Sequence, residues 1–265
     1  MPNNLRVLFF GDIFGKLGRD SVQRYLQTHK KGDEFDLVVA NGENATHGNG
    51  LSLAHYRQLV SYGVDVITSG NHFFGNHEVL HNPELFEKEI RPYNFDPSCP
   101  LKGTVQLEVN GYKVRITNLI GRVEMHGGVA QSNPFYAIDE ITKDDDSDFN
   151  LIDFHAEATA EKRCLAEYAA RRGVNAVIGT HTHVQTNDAK ILGGCFFLTD
   201  VGMNGGYDSV IGIETEASLE HTMTGLPHFF KIKETGPILT DAVLIEYSKE
   251  EKRIVSYKVI NEVSE

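Results

Sequence analysis

The chain has 265 residues, 40% of them hydrophobic, and a formal net charge of −12. This supports a packed core and excludes a disordered chain. So acidic a surface repels long nucleic acid, whose phosphates are held by Lys and Arg, and none is expected as a partner.

No apolar stretch is long enough to cross a bilayer. The start, MPNNLRVLFFGD, enters a short strand directly, without the apolar stretch and cleavage site of a signal peptide, so a cytoplasmic protein with no membrane partner is expected. The first elements are a strand RVLFF (6–10), a helix GRDSVQRYLQTHK (18–30), a strand DLVVA (36–40), a helix LSLAHYRQLVSYG (51–63) and a strand DVITS (65–69). Strands TVQLEV (104–109) and YKVRITNLI (112–120) flank Asn110-Gly111, a strong hairpin signal. KDDDSD (143–148) reads as a solvated loop. There follow a strand LIDFH (151–155), a helix AEATAEKRCLAEYAARRG (156–173), and strands NAVIG (175–179) and CFFLT (195–199). TDVGMNGGYDSVIG (199–212) reads as a Gly-rich loop without the residue order of a P-loop. PILTDAVLIEY (237–247) and RIVSYKVI (253–260) close the chain as strands.

The strands are continuous apolar runs, as expected where both faces are covered. Alternation with helices, plus hairpins, predicts an α/β fold, a two-sheet β-sandwich flanked by helices. Core-like segments lie on both sides of the acidic loop, so residues 1–265 are read as one domain. Cys99, Cys164 and Cys195 form no CxxC pair and read as reduced, buried small hydrophobes.

The strands share one feature. RVLFF is followed by Asp12, DLVVA by Asn41, Glu43 and Asn44, and DVITS by Asn71 and His72. LIDFH ends on His155, and NAVIG is followed by His181 and His183. In open α/β sheets, sites form just outside the carboxyl ends of the strands. In GTHTH, His181 and His183 point to one side if the backbone stays extended. Carboxylate, amide and imidazole groups together suit Fe, Mn or Zn, and seven of them exceed what one tetrahedral zinc needs. Two ions are expected, with Glu43 bridging them. Ions about 3.5–4 Å apart clamp an in-line displacement at phosphorus.

GD (11–12), NGEN (41–44), GNH (70–72), His155 and GTHTH (179–183) resemble the calcineurin-like metallophosphoesterases. Phe14 stands where their first motif has His, and NGEN replaces their GDxxD. The blocks GDIFGKLGRD, ANGENATHGNGL, GVDVITSGNHFF, DFHAEATAEK, VIGTHTHVQT and TDVGMNGGYDSVIG are similar to the YmdB-type phosphoesterases, a branch with these departures. The resemblance implies a dinuclear iron or manganese site, hydrolysis of 2′,3′-cyclic nucleotides and a homo-oligomer as large as a tetramer. It implies Asp12, Asn44 and His183 on one ion, Asn71, His155 and His181 on the other, and Glu43 on both. His72 resembles the family's proton donor. The expected reaction is in-line attack of a metal-bridging hydroxide, with His72 protonating the departing ribose oxygen to leave a 3′-monophosphate.

Arg122, in GRVEMHGG with His126, is a candidate phosphate contact, and Asp200, Gly202 and Tyr207 are candidates for lining the nucleotide pocket. Two other readings stay open here: a phosphomonoesterase such as a nucleotidase, which shares the metal chemistry, and a regulatory protein that binds a nucleotide or a partner and turns over slowly.

Overall fold

The computed structural model describes residues 4–125, 131–226 and 231–265. The chain runs β1 (Leu5–Phe10), β2 (Asp12–Ile13), α1 (Gly15–Thr28), β3 (Leu37–Asn41), α2 (Leu53–Tyr62), β4 (Val66–Thr68), α3 (Glu78–His81), β5 (Thr104–Val109) and β6 (Tyr112–Ile120). It continues with α4 (Pro134–Thr142), β7 (Phe149–His155), α5 (Thr159–Ala170), β8 (Ala176–Thr180), β9 (Lys190–Leu192), β10 (Cys195–Leu198), β11 (Met203–Gly206), α6 (Thr215–Thr224), β12 (Ile238–Ser248) and β13 (Arg253–Ser264).

One sheet has the order β2-β11-β12-β1-β3-β4, with β13 added against β12. The other has the order β5-β6-β7-β8-β10-β9. The strands are apolar on both faces because each face has a layer to cover. In β1, Leu5, Val7 and Phe9 enter the core between the sheets, while Leu8 and Phe10 face the helical side. In β7, Phe149 and Leu151 meet that same inter-sheet core, and Ile152 and Phe154 pack with α4 and α5. The expected two-sheet sandwich with flanking helices is what the chain forms.

β1, β3 and β4 are parallel, as are β6, β7, β8 and β10. Their carboxyl ends, one group from each sheet, open on the same edge of the sandwich. Asn110 (φ 50°) and Gly111 (φ 81°) make the β5–β6 hairpin, with left-handed backbone at both turn positions.

Three expectations are corrected. The segment 199–212 is not wholly a loop, since Met203–Gly206 pairs with β2 and β12. Of the cysteines only Cys195 is buried; Cys164 is exposed on α5 and Cys99 is half-buried. His181 (φ 101°) and His183 (φ 63°) are left-handed and lie past the end of β8, so an extended backbone does not bring them together. Among the described residues, no helix is long and apolar enough to cross a membrane.

Candidate metal centre

Asp12, Glu43, Asn44 and His155 are buried where the strand ends of the two sheets meet. His155 is the last residue of β7. Its Nδ1 lies 2.9 Å from the Thr180 hydroxyl, and that hydroxyl donates to Asp153 Oδ1 at 2.7 Å. Thr180 has spent its hydrogen on Asp153, so His155 must donate from Nδ1. Its Nε2 then faces Asn71 Oδ1 at 2.9 Å, Glu43 Oε1 at 3.1 Å and His181 Nδ1 at 3.1 Å.

Lone pairs crowded in this way need a positive centre among them: a proton on His155 or a metal cation. Burial pulls the His155 pKa down, but the charge and hydrogen bond of Glu43 outweigh it and raise the pKa to about 9. The spacing fits a cation as well. Ligand atoms bonded at about 2.0–2.2 Å and set at right angles lie about 3 Å apart. Glu43, His155 and His181 offer ligand atoms all within 4.8 Å of one another.

Glu43 stays anionic. Burial would raise its pKa, yet His155 and His72 hold it well below the usual carboxylate range. Gly70 makes room for it, because a Cβ there would sit 2.1 Å from Glu43 Oε2 and 2.4 Å from the His155 ring. The His181 pKa is lowered to about 3 by burial and by His155, which leaves a neutral ring. Glu157 lies 3.1 Å from His181 Nε2 and orients that ring with Nδ1 facing inward.

Asp12 lies on the other side of Glu43. Its Oδ2 accepts from the His181 backbone N–H at 3.0 Å, and its own N–H donates to the Gly202 carbonyl at 3.1 Å. Its Oδ1 is buried, has no hydrogen-bond partner among the described residues, and lies 3.7 Å from His183 Nε2. Such an oxygen is costly unless a cation meets it, and burial accordingly raises the Asp12 pKa. His183 Nδ1 lies 3.1 Å from the Ile211 carbonyl; donation there turns the Nε2 lone pair toward Asp12. Asn44 places Nδ2 3.1 Å from His183 Nε2 and Oδ1 2.8 Å from His72 Nδ1. A half-turn of this amide would present the oxygen that a ligand needs.

The sequence-predicted metal ligands therefore converge, together with His72. The candidate substrate contacts fare differently. Asp200 is fully buried beneath the cluster, where it pairs with Lys162 at 2.8 Å and accepts from the Thr182 and Gly202 backbones. Gly202 is also buried below the site. Tyr207 is 53% exposed, and Arg122 is exposed on a loop whose backbone N–H groups bind Glu161. A cavity beside the cluster is lined by Asn71, His72, Glu124, Glu157 and His181, without Arg122 or Tyr207. His126 lies outside the described residues.

Sequence reasoning missed Asp153, Lys162 and Glu157. Asp153 was findable, since it lies two residues before His155 on the same strand face. Lys162 sits beside Leu165 and Ala166 on the buried face of α5, an unusual place for a lysine.

Comparison with known proteins shows the family of the chain. The model of the YmdB-like protein family matches residues 8–260. The 2′,3′-cyclic-nucleotide 2′-phosphodiesterase of Bacillus subtilis is 37% identical over 259 residues, 97% of this chain and 96% of that protein. The crystal structure of a novel phosphatase from Mycoplasma pneumoniae superposes with a TM-score of 0.91 at 35% identity, covering 99% of this chain and 95% of that one. A 5′-nucleotidase precursor of Thermus thermophilus shares the fold alone, with a TM-score of 0.54 at 14% identity over 98% of this chain and 54% of that one. The sandwich is thus a metallophosphoesterase fold, and the chain belongs to the YmdB-like family.

Proposed function

We propose that the chain is a metal-dependent phosphodiesterase that opens 2′,3′-cyclic nucleotides to 3′-monophosphates. The observation that carries this is the ring of ligand atoms around His155 Nε2, beside the unpartnered Asp12 Oδ1. The activity named for the Bacillus subtilis relative supports the substrate class. The family match over residues 8–260 supports a single domain.

Asn71, His155 and His181 would hold one ion, Asp12, Asn44 and His183 the second, and Glu43 both; Fe or Mn suits this mixed donor set. Bound there, the pair would supply charge stabilisation at the phosphoryl oxygens and lower the pKa of a water.

His72 supplies the proton. Its backbone N–H donates to Glu43 Oε2 at 3.1 Å, and its Nδ1 lies 3.3 Å from Glu43 Oε1. The hydrogen bond to Glu43 raises the pKa of His72 despite burial, which favours the imidazolium. Its side chain is 41% exposed, and no described residue bonds its Nε2. As the P–O2′ bond breaks, the Nε2 proton passes to the departing ribose oxygen. Glu124 and Glu157 line the adjacent cavity and favour a diester monoanion over a monoester dianion.

The test is His72→Ala in metal-loaded protein. Turnover of 2′,3′-cyclic AMP should fall about 10²–10⁴-fold with the metal content retained. Turnover at the wild-type level would sink the role of His72. Bis(p-nitrophenyl) phosphate should be cleaved faster than p-nitrophenyl phosphate; the reverse order would favour the monoesterase.

Apolar side chains exposed along and just beyond α6, namely Leu219, Met223 and Leu226, support a homo-oligomer.

A further inference from the structure

Two segments that carry the cluster continue into one cavity, where the loop of Ile211 meets them. Phe14 lies two residues past Asp12, and His47 three past Asn44. Ile211 is tied to His183 through its carbonyl, and the Phe14 and His183 rings meet edge to face at 5.5 Å. The cavity between them and α6 measures about 450 Å³. This is within the range of small-molecule pockets, about 300–1,000 Å³.

Its walls have two characters. Phe14, Ile211 and Ile232 form an apolar side. Ser218 and Thr222, at i and i+4 on α6, line it too, with His221 of the same helix and His47. Phe14 is held in place from two sides, since a Cβ on Gly48 would lie 2.7 Å from its ring and one on Gly212 only 2.4 Å. A flat apolar wall facing hydroxyl and imidazole groups suits a heteroaromatic ring with hydrogen-bonding edges. The cavity on the other side of the cluster is lined by Glu124 and Glu157 and offers no such wall.

We propose that the cavity of Phe14, Ile211 and α6 is the nucleobase subsite, an inference that rests on the phosphodiesterase reading above. The phosphate sits at the cluster, the base lies beside Phe14 and Ile211, and Ser218, Thr222 and His47 meet its polar edge. Phe14 stands where related phosphoesterases have a histidine, and in this chain the position becomes a wall of the base pocket.

Thr222→Trp tests this, because the position is exposed on a helix and the indole would fill the cavity. His47→Asn is a second variant, since Asn tolerates the left-handed backbone at His47 (φ 52°). Glu250→Trp, exposed in the turn between β12 and β13 and outside the cavity, is the control. Turnover of 2′,3′-cyclic AMP is compared with that of bis(p-nitrophenyl) phosphate, which has no base. Thr222→Trp should lower the ratio of the two kcat/KM values at least about tenfold, mainly through KM for the nucleotide. His47→Asn should lower it less, and Glu250→Trp should leave it at the wild-type value. An unchanged ratio in Thr222→Trp, with both substrates still cleaved, would overturn the subsite and leave the phosphodiesterase standing. If the metal-loaded wild type cleaves neither substrate, the phosphodiesterase reading falls and the subsite with it.

Discussion

Gly70 shows how closely the cluster is packed. The space where a side chain would begin is taken by the Glu43 carboxylate and the His155 ring. Gly70→Ala should push Glu43 aside and lower metal affinity about 10–100-fold, as changes next to ligands do. Metal titration followed by elemental analysis would check this, and wild-type affinity would contradict it. Glu89 is a different case, far from the chemistry. It is buried, its Oε2 has no partner among the described residues, and burial pushes its pKa up to about 8 from 4.5. The folded state keeps a proton that the unfolded state releases, so Glu89 makes stability fall as pH rises from 4.5 to 8. Glu89→Gln cannot titrate, so urea melts should show it gaining on the wild type across that window; parallel curves would contradict this. Asp12, Glu43 and His155 were legible as polar residues closing apolar strands. Asp200 was not, because the same pattern also fits a buried anchor, and only Lys162 from another element distinguishes the two.

The elements that escaped sequence reading did so for physical reasons. β11 has the sequence MNGG, a poor strand former that holds its place through tertiary contacts with β2, β12 and α1. In α6 only Ser218 is buried, so no apolar stripe marks it. α4 did carry a signal, Asn133 as N-cap and Pro134 in the first turn, in a stretch to which no element was assigned. GTHTH does not follow its extended-strand expectation. Both histidines face the cluster, but through left-handed backbone fixed by Asp12, Asp200 and Ile211. Lys162 of α5 holds that loop from below, donating to the Thr180 carbonyl and to Asp200, each at 2.8 Å. Lys162→Met would leave Asp200 buried and unpaired, at a cost of about 3–5 kcal/mol. Chemical denaturation of the metal-loaded protein measures this, and a loss below about 1 kcal/mol would show the pair to be expendable.

At the scale of the molecule, the sandwich positions the site by directing parallel strands from both sheets to one edge. β1, β3 and β4 deliver Asp12, Glu43, Asn44, Asn71 and His72; β7 and β8 deliver His155, His181 and His183. This architecture was legible because apolar runs covered on both faces leave a two-sheet sandwich between helical layers as a natural solution. A homo-oligomer was expected from the family resemblance alone, and the proposal that copies meet rests on the exposed apolar side chains along α6. Met223, 82% exposed, is the residue to change. If copies of the chain meet there, Met223→Glu should lower the sedimentation mass to that of one chain at micromolar concentration, and an unchanged oligomer would place the contact elsewhere. The most direct test of the central claim uses protein loaded with Fe or Mn, given 2′,3′-cyclic AMP, with the 2′- and 3′-monophosphates resolved. 3′-AMP is the expected product, formed only with metal and lost in both Asp12→Ala and His72→Ala. No turnover by protein that retains two ions per chain would contradict it.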